Sequence, residues 1–224
     1  GIDATNLTAK NAIIPIIYYF FQNPGLTLMT TSTSDARNAI LVRRWLIASL
    51  LNGVFGGSSD SILASIRQVL KDNGKKSEFP MGTINKRIIE SGRRGNFDAN
   101  ELDDFLSTKY SDANAFLCLS LLYDDNNWGD RQINIDHIFP KTMFSYSKMQ
   151  AAGQANLWPT YTELYERIGN LEILTQQENL EKRAKPFDKW IQTRDASFRT
   201  RNLIPDDPGL WEFEHFEQFE KDKN

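Results

Sequence analysis

Cysteine is almost missing from this sequence. Cys118 is the only one in 224 residues, which excludes an intramolecular disulfide framework and any zinc site built on two or more thiolates. It lies in the apolar run AFLCLSLL and reads as a small buried hydrophobe, a usage that fits a reducing, cytoplasmic setting. Long apolar runs are missing as well. The best one, residues 12–21 (AIIPIIYYFF), is interrupted by Pro15 and falls short of the roughly 18–20 residues a membrane span needs. No basic start followed by an apolar run and a small-residue cleavage site is present. The chain opens on Gly1 without a methionine, so we expect a cloning scar or a piece cut from a longer protein. An excess of positive charge is also lacking: 26 Lys and Arg against 29 Asp and Glu give a net charge of −3. A whole-chain nucleic-acid signature is therefore absent. There is no internal repeat, and Gly53 to Gly57 is not followed by the Gly-Lys-Ser/Thr of a phosphate loop.

What is present is ordinary globular material, 40% hydrophobic and 25% charged, long enough to bury a core without staples. The charge is unevenly spread. Residues 205–224 hold seven acids and two lysines, which leaves the remaining body at +2 and permits nucleic-acid binding without arguing for it. Helical spacing of apolar residues predicts helices over about 9–22, 35–52, 61–71, 81–91, 98–108 and 112–123. Ser58, Ser59 or Asp60 can cap the third of them. The cluster Asp124 to Gly129 then reads as a loop and a domain boundary. Beyond it, Gln132 to Ile135 and Leu171 to Thr175 alternate polar and apolar residues and read as strands. Short helices follow at about 177–182 and 186–190, and the tail reads as an amphipathic helix. The expected fold is mainly α: a helical domain (1–123), a small strand–strand–helix unit set in more helix (124–204) and an acidic helical tail packing on it (205–224).

The chemistry concentrates around one of only two histidines. His137 lies in Ile135-Asp136-His137-Ile138-Phe139-Pro140, just past the first predicted strand. A carboxylate there can ligate a hard cation, and a neutral imidazole beside it can take a proton from water. Taken alone, the tripeptide reads more readily as a partly buried histidine in a turn closed by Pro140. Its context adds weight. Asn170 opens the second strand, Asn179 falls on the following helix, and Lys182 stands one turn later. A hairpin with a crossing helix can bring Asp136, His137 and Asn179 to one point. His215, in an acidic aromatic stretch, lacks partners at metal spacing and reads as a surface or tail-packing residue. The basic pairs Arg43-Arg44 and Arg93-Arg94 read as solvated faces, and Tyr18 to Phe21 reads as core.

These residues resemble the HNH, or ββα-metal, nucleases. The motifs across about 131–190 are most similar to the C-terminal nuclease domain of GmrSD-type modification-dependent restriction enzymes: Asp-His-Ile-x-Pro, a Gly-Asn-Leu strand, then an Asn…Lys helix. The nine-residue step from Asn170 to Asn179 also resembles the HNH domain of RNA-guided CRISPR nucleases. Ile204-Pro205-Asp206-Asp207 and Trp211 resemble the family's tail. The resemblance implies a Mg²⁺- or Mn²⁺-dependent endonuclease that nicks DNA in an anti-phage restriction system. It implies His137 as the general base, Asp136 and Asn179 as metal ligands, and Asn170 as the residue that fixes the loop around the histidine. Lys182 is implied as a phosphate contact. Arg183, Lys185 and Lys189, continued by Arg194, Arg199 and Arg201, read as a DNA-tracking face. A nucleotide-dependent N-terminal domain, known in the family, is not visible here and is an expected partner. Two other readings stay open: a non-cleaving DNA-binding or regulatory module, and an RNase with the same chemistry. No residue reports the trigger, the sequence preference or the oligomeric state.

Overall fold

The computed structural model describes residues 2, 7–28, 32–73, 78–95, 104–123 and 132–223. They form two compact units, Ile2–Leu102 and Asp103–Asn224. The loop 124–129, where the sequence places a boundary, lies outside the described residues, as does the helix expected from 98 as far as residue 103.

The first unit is helical. A single 3₁₀ turn (Lys10–Ala12) leads into α1 (Ile13–Gln22). The hydroxyl of Ser32 accepts the Asp35 N–H and starts α2 (Thr33–Leu51), followed by α3 (Asp60–Asn73) and α4 (Met81–Glu90). Tyr19, Trp45, Phe55, Ile66, Phe79 and Ile84 fill the core. Consecutive residues point to different faces of a helix, so the run Tyr18 to Phe21 is split: Tyr19 is buried and Phe21 is exposed. Gly53 and Gly57 adopt φ of +58° and +63°, which a side chain would strain. The Arg93 guanidinium donates to the carbonyls of Val54, Gly56 and Ser58 in that turn. Arg93 is thus a structural clamp, where the sequence suggests a solvated face.

The second unit carries α5 (Ala115–Leu122), β1 (Ile133–His137), α6 (Tyr146–Ala151), α7 (Trp158–Leu164), β2 (Leu171–Thr175), α8 (Gln176–Lys182), α9 (Phe187–Ile191), α10 (Ala196–Arg201) and α11 (Phe216–Lys223). β1 and β2 pair antiparallel, with Ile133 opposite Thr175 and His137 opposite Leu171. A lone two-stranded sheet is marginal in water. Here α5 and α8 pack against it, and Leu171 to Leu174 are fully buried. Cys118 on α5 is buried, as its apolar run suggests. Phe139, immediately after β1, anchors the core: its ring meets those of Phe187, Phe216 and Phe219 at centroid distances of 4.7–5.3 Å. The whole is mainly α with a small ββα motif.

Candidate active site

The site grows from the end of β1. Successive strand residues face opposite sides, so Asp136 and His137 diverge. Asp136 stands directly opposite Glu172 across the strand pair. Two carboxylates in that position repel. The fully buried Lys182, the last residue of α8, sits between them. Its ammonium donates to Asp136 Oδ2 at 2.7 Å, to Glu172 Oε1 at 2.6 Å and to the His137 carbonyl. An ammonium has three protons, and all three are spent here. The expected phosphate contact of Lys182 does not fit this geometry: the head group is out of solvent and saturated. α8 is aimed by a capping box, in which Thr175 and Glu178 exchange side-chain and backbone bonds.

Asn170 is fully buried and tethers the backbone just beyond the histidine. Its Oδ1 accepts the Phe139 N–H at 2.8 Å, while its amide donates to the carbonyls of Phe139 and Tyr165. Its own carbonyl takes the Ile138 N–H. The chain leaving His137 is thereby held on both sides.

His137 is only 8% exposed. Its ring packs against those of Tyr110 and Tyr165, with centroids at 4.7 and 5.9 Å. Nε2 is 3.3 Å from Glu166 Oε2, and the other oxygen of Glu166 accepts from Lys141 Nζ at 2.9 Å. Burial pushes the imidazole below its ordinary value and outweighs the Glu166 bond and the charges of Glu166 and Asp136, with Lys141 adding to the depression. Burial opposes charge on Glu166 too, but the bonds from Lys141, Tyr165 and His137 overcome it and hold the carboxyl below the ordinary range. Tyr110 reaches the ring because its N–H bonds to the Glu166 carbonyl, beside the bridge between Lys109 and Arg167. Tyr110, Lys141, Tyr165, Glu166 and Glu172 escape a sequence reading. None sits at a motif spacing, and the strand register alone could have flagged Glu172.

Asn179 is half-buried one turn before Lys182. Arg183, Lys185 and Lys189 are exposed beyond it. Arg183 ends α8 at φ +49°, a conformation uncommon for a side-chain-bearing residue. The rest of the expected basic face is committed within the fold. Arg194 pairs with Glu181 and lies over Trp190, Arg199 faces Asp206, and Arg201 bonds Glu178. His215 is exposed. Among the described residues, no three His, Cys, Asp or Glu side chains stand together as a metal cage. The chemistry of a sparser donor set suits Mg²⁺. Lys182 claims only one oxygen of Asp136, the carboxylate is 27% exposed, and Asn179 offers a second hard oxygen on a helix packed against β1. Mg²⁺ asks for few protein ligands and keeps its waters.

An antiparallel pair, a helix packed on it and an Asp-His couple at the strand end make a ββα motif within the second, mainly α unit. Residues 95–216, more than half of the chain, match the family of the C-terminal domain of GmrSD restriction endonucleases. The chain belongs to that family, which makes it a restriction-endonuclease domain with DNA as the substrate that class implies. No curated protein matches it.

Proposed function

We propose that this chain is a metal-dependent endonuclease of the HNH type that nicks DNA as part of a cytoplasmic anti-phage restriction system. The observation that carries the reading is the placement of Asp136 and His137 at the end of β1, with Asn170 tethering the next residues and α8 lying across both strands. His137, neutral near pH 7, takes the proton of the attacking water as general base. Asp136 and Asn179 hold Mg²⁺ or Mn²⁺, which when bound supplies positive charge to the phosphodiester as negative charge grows on it. Lys182 aims the Asp136 carboxylate, and Arg183, Lys185 and Lys189 grip the DNA backbone. A nucleotide-dependent N-terminal domain acts with this chain in the complete system.

The test is nicking of supercoiled plasmid with Mg²⁺ or Mn²⁺, run for wild type, His137→Ala and an EDTA control. Metal-dependent nicking that drops by about 10²–10⁴-fold in the variant is expected for loss of a general base. A single site cuts one strand at a time, so open circles precede linear product. Wild-type rates in His137→Ala would remove the assigned base. DNA binding that survives EDTA, with no cleavage in either metal, would point to a non-cleaving module. Cleavage of matched RNA in preference to DNA would make it an RNase.

A further inference from the structure

The carboxylate of Glu166 has no counterpart among the residues that the sequence singles out, yet it makes the only described hydrogen bond to the His137 ring. We propose that Glu166 is a positioning residue that holds His137 as the Nε2–H tautomer and leaves Nδ1 as the atom that receives the water's proton. The catalytic consequence rests on the nuclease reading above; the tautomer itself is a property of the folded protein.

A neutral imidazole has one donor nitrogen and one acceptor nitrogen, and an ionised carboxylate only accepts. Glu166 Oε2 stands 3.3 Å from Nε2 while Lys141 occupies Oε1 at 2.9 Å. The Lys141 ammonium keeps Glu166 ionised, so the shared proton belongs to Nε2. Among the described residues Nδ1 has no hydrogen-bond partner. The ring packs against Tyr110 and Tyr165, tilted at interplanar angles of 31° and 34°, and this buried packing opposes the flip that would exchange the two nitrogens. Glu166 is itself fixed on both sides. Its carbonyl accepts the Tyr110 N–H, and Asn170 holds the Tyr165 carbonyl just before it. In the proton transfer the water O–H bond breaks and an Nδ1–H bond forms. The resulting imidazolium keeps its Nε2–H on Glu166, whose negative charge stabilises it. At 3.3 Å the bond is longer than a charge-assisted pair prefers and shortens when the ring becomes charged.

The chain has two histidines, so ¹⁵N-histidine labelling yields two ring systems, told apart with His215→Gln. Long-range ¹H–¹⁵N correlation at pH 8, without metal or DNA, is expected to show His137 with a protonated Nε2 and a bare Nδ1. Its Nε2–H proton should be shifted downfield and protected from solvent exchange. Glu166→Leu removes the acceptor: the protected proton disappears, and kcat for plasmid nicking falls at least about tenfold with KM unchanged, the scale on which partners that orient a histidine act. Glu166→Gln keeps an acceptor without the charge, so it retains the proton signal and loses part of kcat. A wild-type ring protonated on Nδ1, or a Glu166→Leu signal identical to wild type, overturns the assignment. If Glu166→Leu fails to fold, the wild-type spectrum alone decides. Absence of nicking in wild type would sink the nuclease reading and leave the tautomer result standing.

Discussion

At the scale of single residues, the general-base role proposed for His137 carries an expected pH response. Its pKa is lowered because burial outweighs the carboxylates around it. A base works only when deprotonated. A lowered pKa therefore keeps the ring competent further into acid, and activity is lost as pH falls through that lowered value. The acidic limb of the kcat/KM profile, measured at saturating metal, should lie below the ordinary histidine value of about 6.5. A limb above it would mean that the neighbouring carboxylates dominate the ring. Asn170 shows a second residue-scale effect. Removing its side chain orphans the buried N–H and carbonyl of Phe139 and the part-buried carbonyl of Tyr165, at about 1–3 kcal/mol for each buried group left unpaired. Asn170→Ala should lower the urea midpoint markedly. Loss of activity with an unchanged midpoint would show that the tether matters less for folding than its geometry indicates.

At the scale of elements, Lys182 is what lets β1, β2 and α8 assemble. The strand register places Asp136 against Glu172, and the ammonium at the end of α8 reconciles them. Breaking a buried ion pair by removing one partner costs about 3–5 kcal/mol, so Lys182→Met should destabilise the unit on that scale in urea titrations. Adding Glu172→Leu removes the buried carboxylate and should recover most of the loss. If the double variant is no more stable than Lys182→Met, the repulsion is not the source of the cost. The pairing also explains why this lysine misleads a sequence reading. Asn179 and Lys182 are one turn apart and look like neighbours at a catalytic mouth, but one helical turn is enough to separate a half-buried position from a fully buried one.

At the scale of the whole molecule, the net charge of −3 hides a division of labour. Arg194, Arg199 and Arg201 pair with acids and are partly buried, whereas Arg183, Lys185 and Lys189 are exposed, with Lys189 beside Asp188 and Lys185 over Trp190. Three phosphate contacts give a slope of log K against log salt of about −3, and each Ala substitution at these three positions should reduce it by about one. Changes at Arg194 or Arg201 should lower thermal stability instead, with little change in slope. A slope unaffected by Arg183, Lys185 and Lys189 would place the DNA grip elsewhere.

Residue order alone locates the local elements and singles out the residues proposed for the chemistry. Period-2 alternation locates β2 to the residue, helical spacing locates α1 to α4 within a few residues, and Asp136-His137 with Asn170 marks the strand ends, because these patterns depend only on neighbours in the chain. It could not determine what meets His137 and Asp136 in space. Glu166 lies 29 residues from His137, Lys182 lies 46 from Asp136, and Tyr110 arrives from the segment before α5. Those contacts depend on strand register, on the direction in which α8 crosses the pair and on the bridge at Lys109, none of which leaves a periodic trace. Only chain folding therefore makes Lys182 a buried strut, brings Glu166 to His137 and leaves just part of the basic stretch facing solvent.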